Sequence, residues 1–230
     1  MQSKCSPLQR PITKPGQVLV EGRTCELFVK ALVRTMSLAD RLEVRDFGPK
    51  EGLKTFLAAF TGLREFRLLK PALGIVRDAE DGPAPNAFDS VRDALRGVGL
   101  VPPVRMGTVG PDVPRVGVYI LPDCSSPGML ESLCYDSIGH EAVKVCVEAY
   151  FACVHKTGGP LPKNMAKAKV FAYLATKDIS DPLVGRAAQA GIWDWNAQPF
   201  ARLKTFLRDV AGSEHDPQGL AAHSTEPIRD

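Results

Sequence analysis

Asp78, Glu80 and Asp81 stand directly behind an apolar run in the stretch Leu73-Gly-Ile-Val-Arg-Asp-Ala-Glu-Asp81. Read as a strand, this stretch puts Asp78 and Glu80 on one face, because strand side chains alternate. Paired carboxylates there suit a hard divalent cation such as Mg²⁺, which is commonly held by one or two carboxylates together with substrate phosphate oxygens. In open α/β sheets, ligands gather outside the carboxyl ends of the strands. Two further segments bring acid to such an edge. Gln17-Val-Leu-Val20 runs into Glu21-Gly22, and Val116-Gly-Val-Tyr-Ile-Leu121 runs through Pro122 into Asp123, with Gly128-Met-Leu-Glu131 shortly after. A single acid behind a strand is ordinarily the N-cap of the next helix. Three such acids in one small domain point instead to a functional cluster.

These acids need a framework. The chain has 230 residues, 44% hydrophobic and 24% charged, which fits one large globular domain or a domain with a helical extension. A net charge of only +3 excludes strong overall attraction to polyanions, so any basic surface must be local. The six cysteines form no Cys-x-x-Cys pair, and the four histidines complete no zinc spacing. They read as reduced, mostly buried thiols in a reducing compartment. The amino terminus lacks the apolar core of a signal peptide, and no run of about 18 apolar residues is present to span a membrane. A cytoplasmic protein without membrane contact is expected.

Strands are predicted at 17–20, 42–47, through the Leu73 run and from Val116 to Asp123. Helices are predicted at 25–35 (capped by Thr24), 53–60, 87–96 and 129–138. Residues 64–71 carry Arg64, Arg67 and Lys70 into the central strand, and 101–114, rich in Pro and Gly, is an irregular or edge segment. Near Gly139 the strand signals stop, and 141–155, 162–176 and 200–210 read as helices. The first of these is apolar on most of its circumference, so it is expected to be packed. Lys163, Lys167 and Lys169 read as a solvated face, and Trp193 and Trp195 as packing residues. The organisation expected is a loose arm at 1–16, an α/β core at 17–138 with a mostly parallel sheet flanked by helices, a helical extension at 139–211 packed on it, and a disordered tail at 212–230.

The order of the acids, Glu21-Gly22 behind the first strand and Asp78-Ala79-Glu80 behind a later one, resembles the Toprim catalytic fold. That fold is shared by topoisomerases, primases and the overcoming-lysogenization-defect nucleases, and carries a Glu-Gly turn and an Asp-x-Asp pair on a parallel sheet. The longer pattern is similar to one uncharacterised Toprim-like family of prokaryotic proteins, with motifs Val-Glu-Gly, Val-x-Asp-Ala-Asp, Met-Pro-Asp and Gly-x-Leu-Glu. Here these stand as Val20-Glu21-Gly22, Val76-Arg77-Asp78-Ala79-Glu80, Leu121-Pro122-Asp123 and Gly128-Met129-Leu130-Glu131. Lys167-Ala-Lys-Val-Phe-Ala-Tyr-Leu-Ala175 looks like that family's C-terminal helical motif, so the resemblance spans about 17–210. This chain departs from it in two places. Glu80 stands where the family usually has Asp, and Arg23-Thr24-Cys25 stands where acid often follows Glu-Gly.

The resemblance implies a Toprim-like sheet and a metal-dependent phosphodiesterase of the nuclease type, acting on DNA or RNA. Asp78 and Glu80 would hold Mg²⁺ or Mn²⁺, Asp123 and Glu131 would hold or orient a second ion, and Glu21 would bind metal or act as general acid/base. Two ions about 3.5–4 Å apart stabilise both the attacking and the leaving oxygen of a phosphodiester. Arg23 and Lys50, on turns, would contact phosphate or serve equally well as surface charges. Two other functions fit the same residues. One is a non-catalytic nucleotide or nucleic-acid binding module, favoured by the two departures. The other is the effector partner of a separate ATPase in a defence system, because the chain has no Gly-x-x-x-x-Gly-Lys-Ser/Thr phosphate loop of its own.

Overall fold

The structure, a computed structural model, describes Leu8, residues 10–139 and residues 141–212. The first part of the expected arm, with Cys5, and the expected tail from Ser213 onward lie outside the described residues. Five strands form one sheet: β1 (Gly16–Val20), β2 (Leu42–Asp46), β3 (Ala72–Asp78), β4 (Thr108–Val109) and β5 (Val116–Leu121). Their order is β2-β1-β3-β5-β4. The first four strands of that order are parallel, and the short edge strand β4 runs antiparallel to β5. Nine α-helices are present among the described residues: α1 (Gly22–Thr35), α2 (Leu53–Gly62), α3 (Arg64–Leu69), α4 (Ala84–Arg96), α5 (Leu130–Ser137), α6 (Ala142–Lys156), α7 (Met165–Leu174), α8 (Val184–Gln189) and α9 (Ala201–Ala211). The fold is α/β.

The interior strands are buried on both faces, as parallel strands covered by helices must be. Alternation then divides their side chains between two cores. Val18, Val20, Val76, Tyr119 and Leu121 face α1, α5, α8 and α9, whereas Leu19, Leu73, Ile75, Val118 and Ile120 face α2 and α4. Helix α9 supplies Leu203, Phe206, Leu207 and Val210 to the first core, so the late helices share the hydrophobic interior of the sheet. Its approach is close because the sheet presents glycine beneath it. A Cβ on Gly74 would stand 2.8 Å from Val210, and one on Gly117 2.8 Å from both Phe206 and Val109 and 3.0 Å from the Thr108 carbonyl oxygen. Gly117→Ala should therefore destabilise the protein by about 1–3 kcal/mol, the usual cost of overpacking. At about 2–4 °C per kcal/mol for a chain of this size, a thermal melt will register it.

Several expectations are corrected. Residues 10–16 are docked: Ile12 is buried, and Arg10 pairs with Glu26 at 3.3 Å and Glu43 at 3.1 Å. Arg45, fully buried in β2, fastens this segment by donating to the carbonyl oxygens of Arg10 and Pro11 and to Gln17 Oε1, each at 2.8 Å. Residues 64–69 form α3, because Phe66 folds back onto Phe60 with ring centroids 5.4 Å apart. Thr24 caps nothing, since α1 already begins at Gly22. Helix α6 lies at the periphery; only Val147 is buried, while Val145 and Tyr150 are 67% and 59% exposed. Helix α8 had no sequence signal of its own, being six residues long, yet Val184, Ala187 and Ala188 are buried in the first core.

Candidate functional site

Parallel pairing brings the acids together at the carboxyl ends of the strands. Val20 of β1 lies opposite Val76 of β3, and the Glu21 N–H donates to the Val76 carbonyl at 3.3 Å. This sets Glu21 beside Arg77 and Asp78, one strand spacing of about 4.8 Å away. The chain then reverses through Gly22, whose φ of 79° is left-handed and suits glycine. Asp46, at the end of β2, clips this turn: its Oδ1 accepts from Gly22 N at 2.9 Å and from Gly48 N at 2.7 Å.

Asp78 ends β3. Its Oδ1 accepts from the N–H of Leu130 at 3.0 Å, the first residue of α5. Burial, followed by repulsion from Glu131 and Glu21, pushes its carboxyl up to about 8 against the opposing pull of that N–H. Glu21 is raised too, by burial first, with Arg77 opposing and Glu80 adding. Glu21 Oε2 is buried without a hydrogen-bond partner, and so is Arg77 Nε, 3.7 Å away. That separation gives attraction between charges but is too long for a hydrogen bond.

Glu80 departs from the strand expectation. With φ of 60° it has left β3, and its backbone forms a bridge with Gly128 through hydrogen bonds of 2.8 and 2.7 Å. It therefore does not share a strand face with Asp78. Its carboxylate pairs with Lys50, although its charge still acts on Asp78 and Glu21. Glu131, in the first turn of α5, belongs with Asp78 electrostatically. Asp123 is occupied by its own loop. Its Oδ1 accepts from Ser125 N at 2.8 Å and Ser126 N at 2.7 Å, and its Oδ2 from Ser126 Oγ at 2.9 Å. Burial alone would raise its pKa, but these bonds prevail and hold it below its usual value. Arg23 pairs with Glu26 on α1, whereas Lys50 does stand at the acidic edge. Burial first, then the charges of Asp78 and Glu131, lifts the Cys25 thiol well above its ordinary value, which keeps it inert.

Among the described residues, no three of His, Cys, Asp and Glu stand ready to hold a metal ion together. The set Glu21, Asp78, Glu80, Asp123 and Glu131 is thus not a closed cage; Lys50 holds Glu80, and the serine loop holds Asp123. What remains fits a hard cation in a looser way. Glu131 and Glu21 each repel Asp78, and one buried Glu21 oxygen has no donor. A divalent cation relieves such repulsion, and Mg²⁺ is commonly bound by one or two carboxylates with the rest of its shell supplied by water and phosphate.

A cleft of about 480 Å³ opens beside the acids, lined in part by Arg77, Glu80, Gly82, Asn86, Met129 and Lys163. Sequence reasoning missed Asp46 and Arg77 as site residues. Asp46 carried one usable signal, an acid at the end of a predicted strand. Among the described residues no helix is long and apolar enough to cross a membrane.

Fold and site together define an α/β protein with a carboxylate cluster at the carboxyl edge of its parallel strands. The chain belongs to the family described as protein of unknown function (DUF3226), whose model matches residues 15–212 and so takes in every described strand and helix. No curated protein and no solved structure matches it.

Proposed function

We propose that the protein is a Toprim-like, metal-dependent phosphodiesterase of the nuclease type, acting on nucleic acid in the cytoplasm with Mg²⁺ or Mn²⁺. The supporting observation is the crowded pair Glu21 and Asp78, with a carboxyl raised to about 8 and a buried carboxylate oxygen lacking any donor. Asp78 and Glu21 would hold the ion, with Glu131 beside them. The ion supplies Lewis-acid neutralisation of phosphate charge. Where Asp78 holds the ion without it, Glu21, raised above its ordinary pKa by burial, would instead serve as the group that transfers a proton. Lys50 and Arg77 bring positive charge toward a phosphate. The ion pair of Glu80 with Lys50 favours a second reading, in which the site binds nucleotide or nucleic acid without cleaving it, alone or as partner of a separate ATPase.

Melting with metal and with chelator, run beside cleavage of single- and double-stranded DNA and RNA, separates these readings. A ligand at a hundredfold excess over Kd stabilises by about 2.7 kcal/mol, hence roughly 5–10 °C in Tm for a chain of this size. The nuclease reading expects that shift together with metal-dependent cleavage, and loss of both in Asp78→Asn. Binding without cleavage would move the second reading ahead, and no metal shift together with no cleavage would sink the first.

A further inference from the structure

We infer that α6 is a self-association helix, whose outward face pairs antiparallel with α6 of a second copy of this chain. The inference is independent of the phosphodiesterase reading. Surface helices ordinarily turn apolar residues to the core and polar ones to water, and α6 largely does the reverse. Its polar groups are spent on the body of the protein. Lys144 donates to the carbonyl oxygens of Tyr135 and Ile138 at 3.1 and 2.8 Å. Glu148 accepts from the Tyr135 hydroxyl and from Lys169, both at 2.6 Å. Glu141 accepts from the Tyr173 hydroxyl at 3.1 Å and from Lys177 at 3.2 Å. Only Val147 is buried on this side, with Val143 and Phe151 partly buried against the first core.

The outward face carries Ala142, Val145, Ala149, Ala152 and Lys156, all exposed. Their alternating spacing of three and four residues is that of a and d positions in a heptad, so the four apolar ones form a single seam. Val145, at 67% exposed, is its largest member. The alanines let a partner helix approach toward the lower end of the usual interaxial distance of about 8–10 Å. Cys146 and Cys153, both exposed, flank one side of the seam, with Tyr150, 59% exposed, between them.

Charge selects both the occupant and its direction. Glu141 stands at the amino-terminal end of α6, and His155 and Lys156 in its last turn. A hollow of about 410 Å³ opens beside the amino-terminal half, where Asp136, Glu141 and Glu148 outnumber Lys144 in the lining around Val145. A two-fold axis crossing α6 midway between Ala149 and Tyr150 seats His155 and Lys156 of the second copy at that hollow. Symmetry repeats the contact at the other end. The same axis sets the helix dipoles antiparallel and brings Cys146 of one copy beside Cys153 of the other. A parallel pair would instead set Lys156 against Lys156 and leave both acidic hollows without a cation. Near the axis each Glu148 is paired with its own Lys169, so the copies meet there without uncompensated like charge. The 15 residues of α6 span about 22 Å. One helix pair of that length falls at the low end of interface sizes, below about 1,200 Å², so a dissociation constant on the order of 10 µM is expected.

Sedimentation velocity of the full chain from about 1 to about 100 µM brackets that constant. The weight-average mass should climb toward twice that of one chain across this range. Ala149→Arg sets two guanidinium groups against each other near the axis and should hold the mass at that of one chain throughout. Its thermal melt at the lowest concentration, where the wild type is also dissociated, should be unchanged, because the side chain points to solvent. Direction is read by copper-phenanthroline oxidation at the highest concentration in a Cys5→Ser background, where the remaining partners of Cys146 and Cys153 are buried. Within one helix Cys146 and Cys153 stand about 10.5 Å apart along the axis, too far for a disulfide, so a bond between them joins two chains. A covalent dimer should form, and either Cys146→Ser or Cys153→Ser should abolish it, whereas a parallel pair would still link through the like cysteines that remain. A wild type that stays monomeric at every concentration overturns the inference and leaves the face to a different protein. Association that survives Ala149→Arg, a covalent dimer that survives either serine variant, or no covalent dimer at all also overturns the antiparallel pairing.

Discussion

Asp78→Asn should leave the metal-free protein more stable than the wild type at pH 9, with an advantage that shrinks steadily as the pH falls toward 4. The sign follows from the carboxyl, whose pKa stands at about 8 in the folded protein against an ordinary 3.8. Between those values the folded state keeps a proton that the unfolded state has lost. Stability from this group is therefore fully present below about pH 4, declines as pH rises, and is gone above about pH 8. One pKa unit corresponds to about 1.4 kcal/mol, and relaxation around a newly charged group reduces the full span, so a difference of about 2–4 kcal/mol is expected. Asn keeps an oxygen for the Leu130 N–H and cannot ionise, so α5 stays anchored. Glu21 is also raised and falls in the same direction, whereas Glu26, Asp123 and Glu148 are lowered and lose stability only in acid. The mutant-minus-wild-type difference, taken by urea melts at each pH, cancels Glu26, Asp123 and Glu148 and leaves Asp78 together with its coupling to Glu21. Parallel profiles would mean that Asp78 is already ionised at neutral pH, and the enclosed carboxyl would lose its support. In the wild type the same proton competes with metal, so the Mg²⁺- or Mn²⁺-induced shift should grow up to about pH 8.

How far the sequence revealed the site can be seen residue by residue. Val18 to Val20, Ile75 to Val76 and Val118 to Leu121 are apolar runs closed by acid, and uninterrupted burial on both faces leaves that mark. Their parallel pairing then makes Glu21 and Asp78 neighbours almost without further information. Tertiary choices hid the rest. Arg77 reads as a spacer between Val76 and Asp78, and only the packing of β1 against β3 shows that it faces Glu21. Arg45 in Leu42-Glu-Val-Arg-Asp46 looks like a solvent-facing residue of an alternating strand, but the docked segment 10–12 covers it and supplies its acceptors. Extending the strand's period by two residues predicts Glu80 on the face of Asp78, and this fails where the backbone turns left-handed. Asp123 ends a strand as the other acids do, but Ser125 and Ser126 follow closely enough to bind its carboxylate locally, and local partners prevail over distant ones. Helix α6 has apolar residues around much of its girth, and no described element lies outside it to cover them.

The second large effect is expected at the Glu21 and Arg77 pair. Arg77→Met should cost about 2–4 kcal/mol at pH 7. Removing one partner of a buried ion pair typically costs about 3–5 kcal/mol. The value here is set lower because the 3.7 Å separation makes no hydrogen bond. Met keeps most of the side-chain volume, so the loss reports charge more than packing. Arg77 opposes the upward shift of Glu21, and without it the Glu21 carboxyl moves higher still. The penalty should therefore grow with pH, since ionising Glu21 then leaves a buried charge with one compensating neighbour fewer. Glu21→Gln removes that charge, and the double variant Glu21→Gln, Arg77→Met should recover more than half of the loss. Urea melts of the four proteins at pH 5 and pH 8 give the coupling energy directly. Additive effects at both pH values would show that Arg77 serves only as a packed stem bonded to Ser90. A coupling that is large at pH 8 and small at pH 5 would identify an acid whose charge the fold leaves under-compensated. Mn²⁺ should then restore part of the stability of Arg77→Met and none of the double variant's, because the cation and the guanidinium compensate the same carboxylate.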